Sequence, residues 1–360
     1  MCSQDPFKEY IKQSEPGRRD RAYAWRTAIG LQDVDGLKTS EYLAGTAIQN
    51  IEGKITIDEA GDLLAAYYEE NPEYGRVEEA DKVSQRIAKL LSEKSFSFTS
   101  KEYLAIHKKL FQGIYDKAGE IREYNITKKE WILDGATVTY GSASELEATL
   151  EYDISQEKKY SYKGLSMDEI IHHIAVFVAG LWQIHVFGEG NTRTTAVFFI
   201  KYLRTLGFDV TNDIFAQNAW YFRNALVRAN YNDLVNDVHE TTEYLELFLK
   251  NLLLGEKNEL HNRTMHISGK FKKPSKQNID KIKQDIENAN RTLNVSERTK
   301  KNIQMLRDAL GNDRIFGRSD VMNILGITAS PASALIKKML EYGVIKPQKG
   351  YGKGKYTFTE

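Results

Sequence analysis

The sequence predicts a mainly α-helical protein with a small α+β unit at its C-terminal end. Three observations carry that prediction. Apolar residues recur at helical spacing through residues 66–254, most clearly from Met167 to Ile184. Past Phe316, two short helical stretches are followed by a glycine-tipped basic hairpin, VIKPQKGYGKGKYTF. Between these regions, residues 255–278 are polar and basic and read as a linker.

Four segments follow. Residues 1–65 are polar and helix-prone, with Gly36, Gly45, Gly53 and Gly61 as punctuation; 66–254 form the apolar helical core, 255–278 the linker, and 279–360 the small C-terminal domain. The 360 residues, 41% of them hydrophobic, suffice for a buried core and exclude wholesale disorder. Cys2 is the only cysteine, which excludes disulfide frameworks and Cys-based zinc sites. The N-terminus has no apolar signal region, and Ile170–Ile184 is too short and too polar to span a bilayer. A cytoplasmic location away from membranes is therefore expected. Net charge is zero but uneven. Residues 265–360 hold 19 basic and 9 acidic side chains, against 31 and 41 in the remainder, so the C-terminal part is suited to an anionic partner.

The most informative segment begins at Ser166. Ser166 and Glu169 form a capping box, and Met167, Ile170, Ile171, Ile174, Phe177, Val178, Leu181 and Trp182 make a buried helical stripe that Val176 and Ile184 widen. The helix runs into His185-Val-Phe-Gly-Glu-Gly-Asn-Thr-Arg193, and a second apolar helix extends to Leu206, stopped by Gly207. Such a turn presents backbone N–H groups at a helix N-terminus, which attracts an anion, typically phosphate. Beside it stand a proton acceptor (His185), a carboxylate able to hold Mg²⁺ (Glu189), an amide (Asn191) and a guanidinium (Arg193). These are the parts of a phosphoryl-type transfer site. Adjacent His172 and His173 point to different faces of a helix and do not suggest a shared metal.

His185 to Arg193 resembles the H-x-F-x-[DE]-G-N-x-R signature of the Fic family. The resemblance covers roughly residues 65–250 and implies a Fic-type helical core with a β-hairpin flap. It implies an enzyme, a protein adenylyltransferase moving AMP from ATP to a Ser, Thr or Tyr hydroxyl of a target protein. On it, His185 is the general base, Phe187 an apolar anchor, and Glu189 the Mg²⁺ ligand. Gly188, Gly190, Asn191, Thr192 and Arg193 hold the nucleotide, with Arg193 on the β-phosphate. Val186 stands where proline is usual. Thr192 replaces glycine or lysine, and its hydroxyl suits a helix N-cap. Ala196 replaces a second arginine that would grip the γ-phosphate.

Upstream, Trp131-Ile-Leu-Asp-Gly-Ala-Thr-Val-Thr-Tyr-Gly141 places Asp-Gly between β-rich runs, a hairpin signal that matches the family's flap at about 131–141. Thr137, Val138 and Thr139 then become the edge on which a target segment docks as an added strand. Gly119-Glu-Ile-Arg122 resembles the stretch that precedes the flap. The segment from Arg18 to Tyr68 resembles the small antitoxin that partners the Vbh toxin. It offers two inhibitory acids, Asp35 before Gly36 and Glu52 before Gly53; the analogy selects Asp35.

The C-terminal unit resembles a winged helix-turn-helix. Ser319 and Ser330 are candidate N-caps, and Ile336, Met339 and Leu340 candidate core positions. Lys337, Lys338, Lys346, Lys349, Lys353 and Lys355 could neutralise phosphates, of DNA or of another anionic partner. A second copy of the chain is also a candidate partner. An alternative function class is a nucleotide-gated regulatory or DNA-binding protein with little turnover, favoured by Ala196 and the basic C-terminus; His185 favours the enzyme.

Overall fold

The computed structural model describes residues 7, 10, 16–71, 75–210, 213–268, 297–311, 314–341, 343–348 and 354–359. The chain divides into two compact units, Met1–Lys272 and Lys273–Glu360. The first is helical. α1 (Pro16–Gly30) leads into a 3₁₀ turn, Leu31–Asp35, and is followed by α2 (Glu41–Ile51), α3 (Ile57–Glu70), α4 (Arg76–Ser92) and α5 (Ser100–Phe111). After an extended stretch come α6 (Leu146–Lys159), α7 (Met167–Ile184), α8 (Asn191–Thr205), α9 (Ile214–Ala229) and α10 (Glu243–Leu254).

The capping box at Ser166 starts α7 with both of its hydrogen bonds in place. The stripe predicted on α7 is buried at Ile171, Ile174, Val178, Leu181 and Trp182, but Met167 and Val176 lie 37% and 49% exposed. Val176 falls on the outer face. Every residue of α8 from Asn191 to Leu203 is buried, so this helix is the axis of the unit. Phe198 packs against Tyr103 and Phe96, and Phe199 faces Phe222, whose neighbours are Phe215 and Phe248. Gly207 has φ +88°, and its N–H donates to the carbonyl of Arg204, closing the helix end.

The N-terminal helices belong to the same core. Trp25, Leu31, Val34, Leu43 and Ile51 are buried in it, and the Trp25 indole donates to Asn50 Oδ1 at 3.0 Å. Gly36 and Gly53 take positive φ and do punctuate, whereas Gly45 and Gly61 lie inside α2 and α3. At Gly61 an added Cβ would come within 3.1 Å of Gln85, so close helix packing accounts for the missing side chain.

Residues 255–268 are not a free connection. Met265 is buried in the core, Tyr244 donates its hydroxyl proton to the carbonyl of Thr264, and the Ile267 N–H donates to the carbonyl of Ile132. The rest of the sequence-defined linker, 269–278, lies outside the described residues.

The second unit holds α11 (Glu297–Leu310), α12 (Arg318–Leu325) and α13 (Ala329–Glu341). Its antiparallel sheet runs in the order β1 (Phe316–Gly317), β3 (Lys355–Phe358), β2 (Ile345–Pro347). Leu306, Phe316, Val321, Ile336, Met339 and Phe358 are in its core. Leu340 is 36% exposed. Neither serine caps a helix here: Gly317 is the N-cap of α12, with Asp320 reaching back to it, and Ser330 lies within α13. Among the described residues no helix is long and apolar enough to cross a membrane.

Candidate active site

α7 ends on His185, which adopts a left-handed conformation (φ 52°, ψ 58°) and turns the chain away from the helix axis. Only a few per cent of residues other than glycine do this, so the position is held by its surroundings. Arg122 holds it. The buried guanidinium donates to the carbonyl of His185 at 2.7 Å, to Gly141 at 2.6 Å and to Tyr124, while the Arg122 N–H donates to the carbonyl of Val186.

His185 itself is 2% exposed. Its Nδ1 lies 3.3 Å from the carbonyl of Trp182, so the ring proton sits on Nδ1, and the buried Nε2 has no hydrogen-bond partner among the described residues. Burial, reinforced by the charge of Lys128, drives its pKa well below the usual imidazole range. The imidazole is neutral at pH 7, with an unshared electron pair on Nε2. Tyr140 covers it, ring centroids 4.2 Å apart.

The turn that follows is fixed from several sides. Phe187 is buried and stacks on His107 at 3.6 Å. His107 accepts the N–H of Gly119 on Nδ1 (2.8 Å) and donates from Nε2 to the carbonyl of Glu189 (3.1 Å). Burial brings its pKa down to about 4, which keeps this neutral double contact intact. Asn191 accepts the Phe187 N–H and donates to the Phe187 carbonyl. Both ends of its amide help to shape the turn. Gly190 (φ +71°) lies against the Phe111 ring, where a Cβ would approach within 2.5 Å; at Gly188 a Cβ would meet the Tyr124 hydroxyl at 2.7 Å.

Gly190 is the N-cap of α8, so the first N–H groups of the helix have no acceptor within it. Thr192 is not the N-cap; its hydroxyl accepts the Trp182 indole N–H at 3.0 Å. Glu189 is exposed, and its carboxylate has no partner among the described residues. Those residues include no group of three or more potential metal ligands. A single open carboxylate at a phosphate-binding helix end fits Mg²⁺ that arrives with a nucleotide rather than a dedicated cage.

Arg193 is 1% exposed and stands at the centre of an acidic cluster. Its Nη2 donates to Glu79 (2.8 Å) and to the Tyr115 hydroxyl (2.9 Å), and its Nη1 to Gln32 (3.1 Å). Nε lies 2.8 Å from Asp35 Oδ2, a contact of charges rather than an aligned hydrogen bond. Burial opposes the cation, but Asp35, then Tyr115 and Glu79, outweigh it and raise the pKa of Arg193. Of the two sequence-defined acids, Asp35 is therefore at the site. Glu52 is not: it binds the Tyr10 hydroxyl and Lys54.

At 131–141 the chain reverses at Asp134 and Gly135, both with positive φ, but through a 3₁₀ turn, Trp131–Leu133, and not a two-residue hairpin. The Glu130 N–H donates to the carbonyl of Ala136, and no strand is assigned between 126 and 141. Val138 is buried and faces inward; Thr139 is exposed, but its carbonyl accepts from Gln183. Glu130 pairs with Arg223 through two hydrogen bonds at the base of the segment. At its tip, Asp134 lies 3.5 Å from His266.

A cavity of about 340 Å³ opens beside this machinery, lined by His107, Tyr115, Lys117, Tyr124, Gly188 and Glu189, among others. A larger cavity, about 900 Å³, lies away from it, and the cations Lys201 and Arg204 on its wall are spent on backbone carbonyls at the end of α4. The smaller cavity is the one with the chemistry. His172 and His173 turn to different partners, Glu246 and Glu157.

A buried histidine, a helix N-terminus with free N–H groups and a glycine turn held by aromatic packing thus meet at the junction of α7 and α8. Residues 97–203, which contain all of the site except the Asp35, Gln32 and Glu79 side, match the model of the Fic/DOC family. A Fic family protein from Desulfovibrio desulfuricans G20 aligns over 98% of this chain and 90% of its own, with 13% identity and a TM-score of 0.45. The N-terminal FIC domain of Bep8, a VirB-translocated effector protein from Bartonella sp. 1-1C, aligns over 48% of this chain and 81% of its own. The identity there is 19% and the TM-score 0.37. No curated protein matches the chain.

Sequence reasoning passed over His107, Glu79, Gln32, Tyr115 and Tyr140. His107 and Tyr115 lie on or just after a helix whose periodicity announces burial, not chemistry. Gln32 stands three residues before Asp35 in the same short turn, and that nearness was the signal that could have found it.

Proposed function

We propose that this protein is a nucleotidyltransferase that moves AMP from ATP to a side-chain hydroxyl of a target protein, held in check by its own Asp35. The observation that carries the reading is His185: a neutral, buried imidazole with its Nε2 electron pair free, one turn away from an anion-binding helix start. A base in that state can take the proton of a Ser, Thr or Tyr hydroxyl as its oxygen attacks the α-phosphate, the α–β anhydride bond breaks and pyrophosphate leaves. Such a base contributes about 10²–10⁴ in rate.

The phosphates would lie against the N–H groups of residues 188–193, with Arg193 beside the β-phosphate. Mg²⁺ bound with the nucleotide offsets phosphate charge, and Glu189 is the residue to hold it. Ala196 leaves the γ-phosphate without a side-chain cation from α8. The acceptor segment would dock along 137–139, on the side of the half-buried Thr137 and the exposed Thr139; Val138 anchors that limb inward. Because Tyr140 covers His185, the limb must shift to admit the hydroxyl. The closed arrangement, with Asp35 on Arg193, is the inhibited one.

Intact-mass spectrometry after incubation with Mg²⁺, ATP and cell lysate tests this. A gain of one AMP on the protein or a target, absent in His185→Ala, is the expected outcome. Nucleotide binding without transfer both in the parent and in Asp35→Ala, which lifts the inhibition, would overturn it.

A second role belongs to the C-terminal unit, which we read as a winged-helix module that docks on nucleic acid. Lys337, Lys338, Lys346 and Lys355 are exposed around α13 and the sheet, while Lys349 and Lys353 lie outside the described residues. Binding of a DNA duplex that weakens steeply with salt, and weakens further in Lys337→Ala/Lys338→Ala, would support it.

A further inference from the structure

Asp35 reaches Arg193 from the N-terminal segment, but Glu79 reaches it from α4. If the Asp35 turn is displaced, the Glu79 contact is still available. Tyr115 makes this second acid a fixed part of the site: its hydroxyl donates to Glu79 Oε1 at 2.7 Å and accepts from Arg193 Nη2 at 2.9 Å. Glu79, Tyr115 and Arg193 thus close a triangle in which one guanidinium nitrogen meets both partners. Tyr115 is also in the wall of the 340 Å³ cavity, so the triangle borders the space a nucleotide would occupy.

The consequence is one of charge. With Asp35 away, Arg193 is still neutralised by Glu79. The other acids at the cavity, Asp116, Glu120 and Glu189, outnumber Lys117. Arg122 lines it too, but its guanidinium is committed to backbone carbonyls. α8 has alanine at 196, so no second cation follows one turn on. A terminal phosphate carries close to two negative charges at neutral pH, whereas a phosphate bridged on both sides carries one. A site with a compensated arginine and an acidic rim selects against the terminal phosphate.

Resting on the AMP-transfer reading above, with ATP then the weaker of two donor classes, the geometry points to Glu79 as a specificity-determining residue that makes the site favour a nucleoside diphosphate esterified at its β-phosphate over a nucleoside triphosphate. Glu79 does so by competing with phosphate oxygens for Arg193. Removing its charge, while keeping its shape and its acceptor for Tyr115, releases Arg193 for a more highly charged ligand.

The test is equilibrium binding of ADP-ribose and of ATP, each with Mg²⁺, to the full chain carrying Asp35→Ala and to the same chain carrying Asp35→Ala with Glu79→Gln. The ratio of the two affinities is the readout, because a general loosening of the fold would weaken both ligands together. We expect ADP-ribose to be preferred in the first protein, and the ratio to move toward ATP by about tenfold in the second, the scale of one screened charge contact. If both ligands bind and the ratio does not move, Glu79 does not set specificity, and the nucleotide reading stands without it. Should neither ligand bind either protein, the nucleotide reading falls and this assignment with it. If Asp35→Ala folds poorly, the same ratio measured in chains that retain Asp35, with and without Glu79→Gln, decides between these outcomes.

Discussion

Asp35-Gly36 and Glu52-Gly53 are near-copies in sequence: an acid before a glycine with positive φ, each where a helical segment ends. They do not do the same work. Asp35 ends a 3₁₀ turn whose Leu31, Gln32 and Val34 are buried against α8 and α9, and that turn delivers its carboxylate to Arg193. Glu52 ends α2 on the other side of the N-terminal helices and takes Lys54 and Tyr10. Local pattern sets the turn; the cation that happens to face it sets the role.

The strongest way to break the comparison is to remove that cation. Arg193→Ala should abolish nucleotide binding and cost about 3–5 kcal/mol in denaturant unfolding, because it strands Glu79 and Asp35 beside each other. Lys54→Ala, its counterpart beside Glu52, should leave both unchanged. A melt of Arg193→Ala that overlays the parent would refute the idea that this charge cluster is tightly coupled.

Acid pH should sharpen the comparison next, because His107 lies on the Arg193 side only. Its native pKa of about 4 is depressed below the unfolded value of about 6.5, so the unfolded chain binds the extra proton between those values. Stability is therefore full above pH 6.5 and falls as the pH drops toward 4, by about 3 kcal/mol. His107→Gln should remove that contribution and leave the one from the buried His185. An unchanged profile would show that His107 is protonated in the folded state.

A smaller effect separates the acids directly. Asp35→Ala should tighten nucleotide binding by about tenfold, or 1.4 kcal/mol, read by calorimetry; Glu52→Ala should not change it. Equal effects from both would mean that they act through the stability of the N-terminal helices and not through Arg193. The smallest change is expected from Asp35→Glu, which keeps the charge but lengthens its reach, and should move binding less than twofold.

Most of the fold was legible because its signals are local. The capping box at Ser166 and the continuous burial of α8 follow from sequence, as does the chain reversal at Asp134-Gly135. What was not legible depends on distant partners. Val138 reads as an edge residue, yet it is buried. Thr192 reads as a cap, but the Trp182 indole claims its hydroxyl. Residues 255–268 read as a linker because they are polar, although Met265 and Ile267 fasten them to the core. At the site, the nine residues of the motif announced themselves. Glu79 and Tyr115, more than 70 positions before Arg193, had no local pattern to announce them.

The burial of Leu31 and Val34 fixes how fast the site can respond. The Asp35 turn is seated in the core by these two side chains, so it cannot swing away as an exposed tail would; it must first detach them. Nucleotide binding would then wait on an opening step. At high ligand the observed rate should level off at the opening rate instead of rising with concentration, and the apparent affinity should be weakened by the fraction of molecules open at any moment. The time course of a response would be set by two apolar side chains that touch neither the nucleotide nor its target.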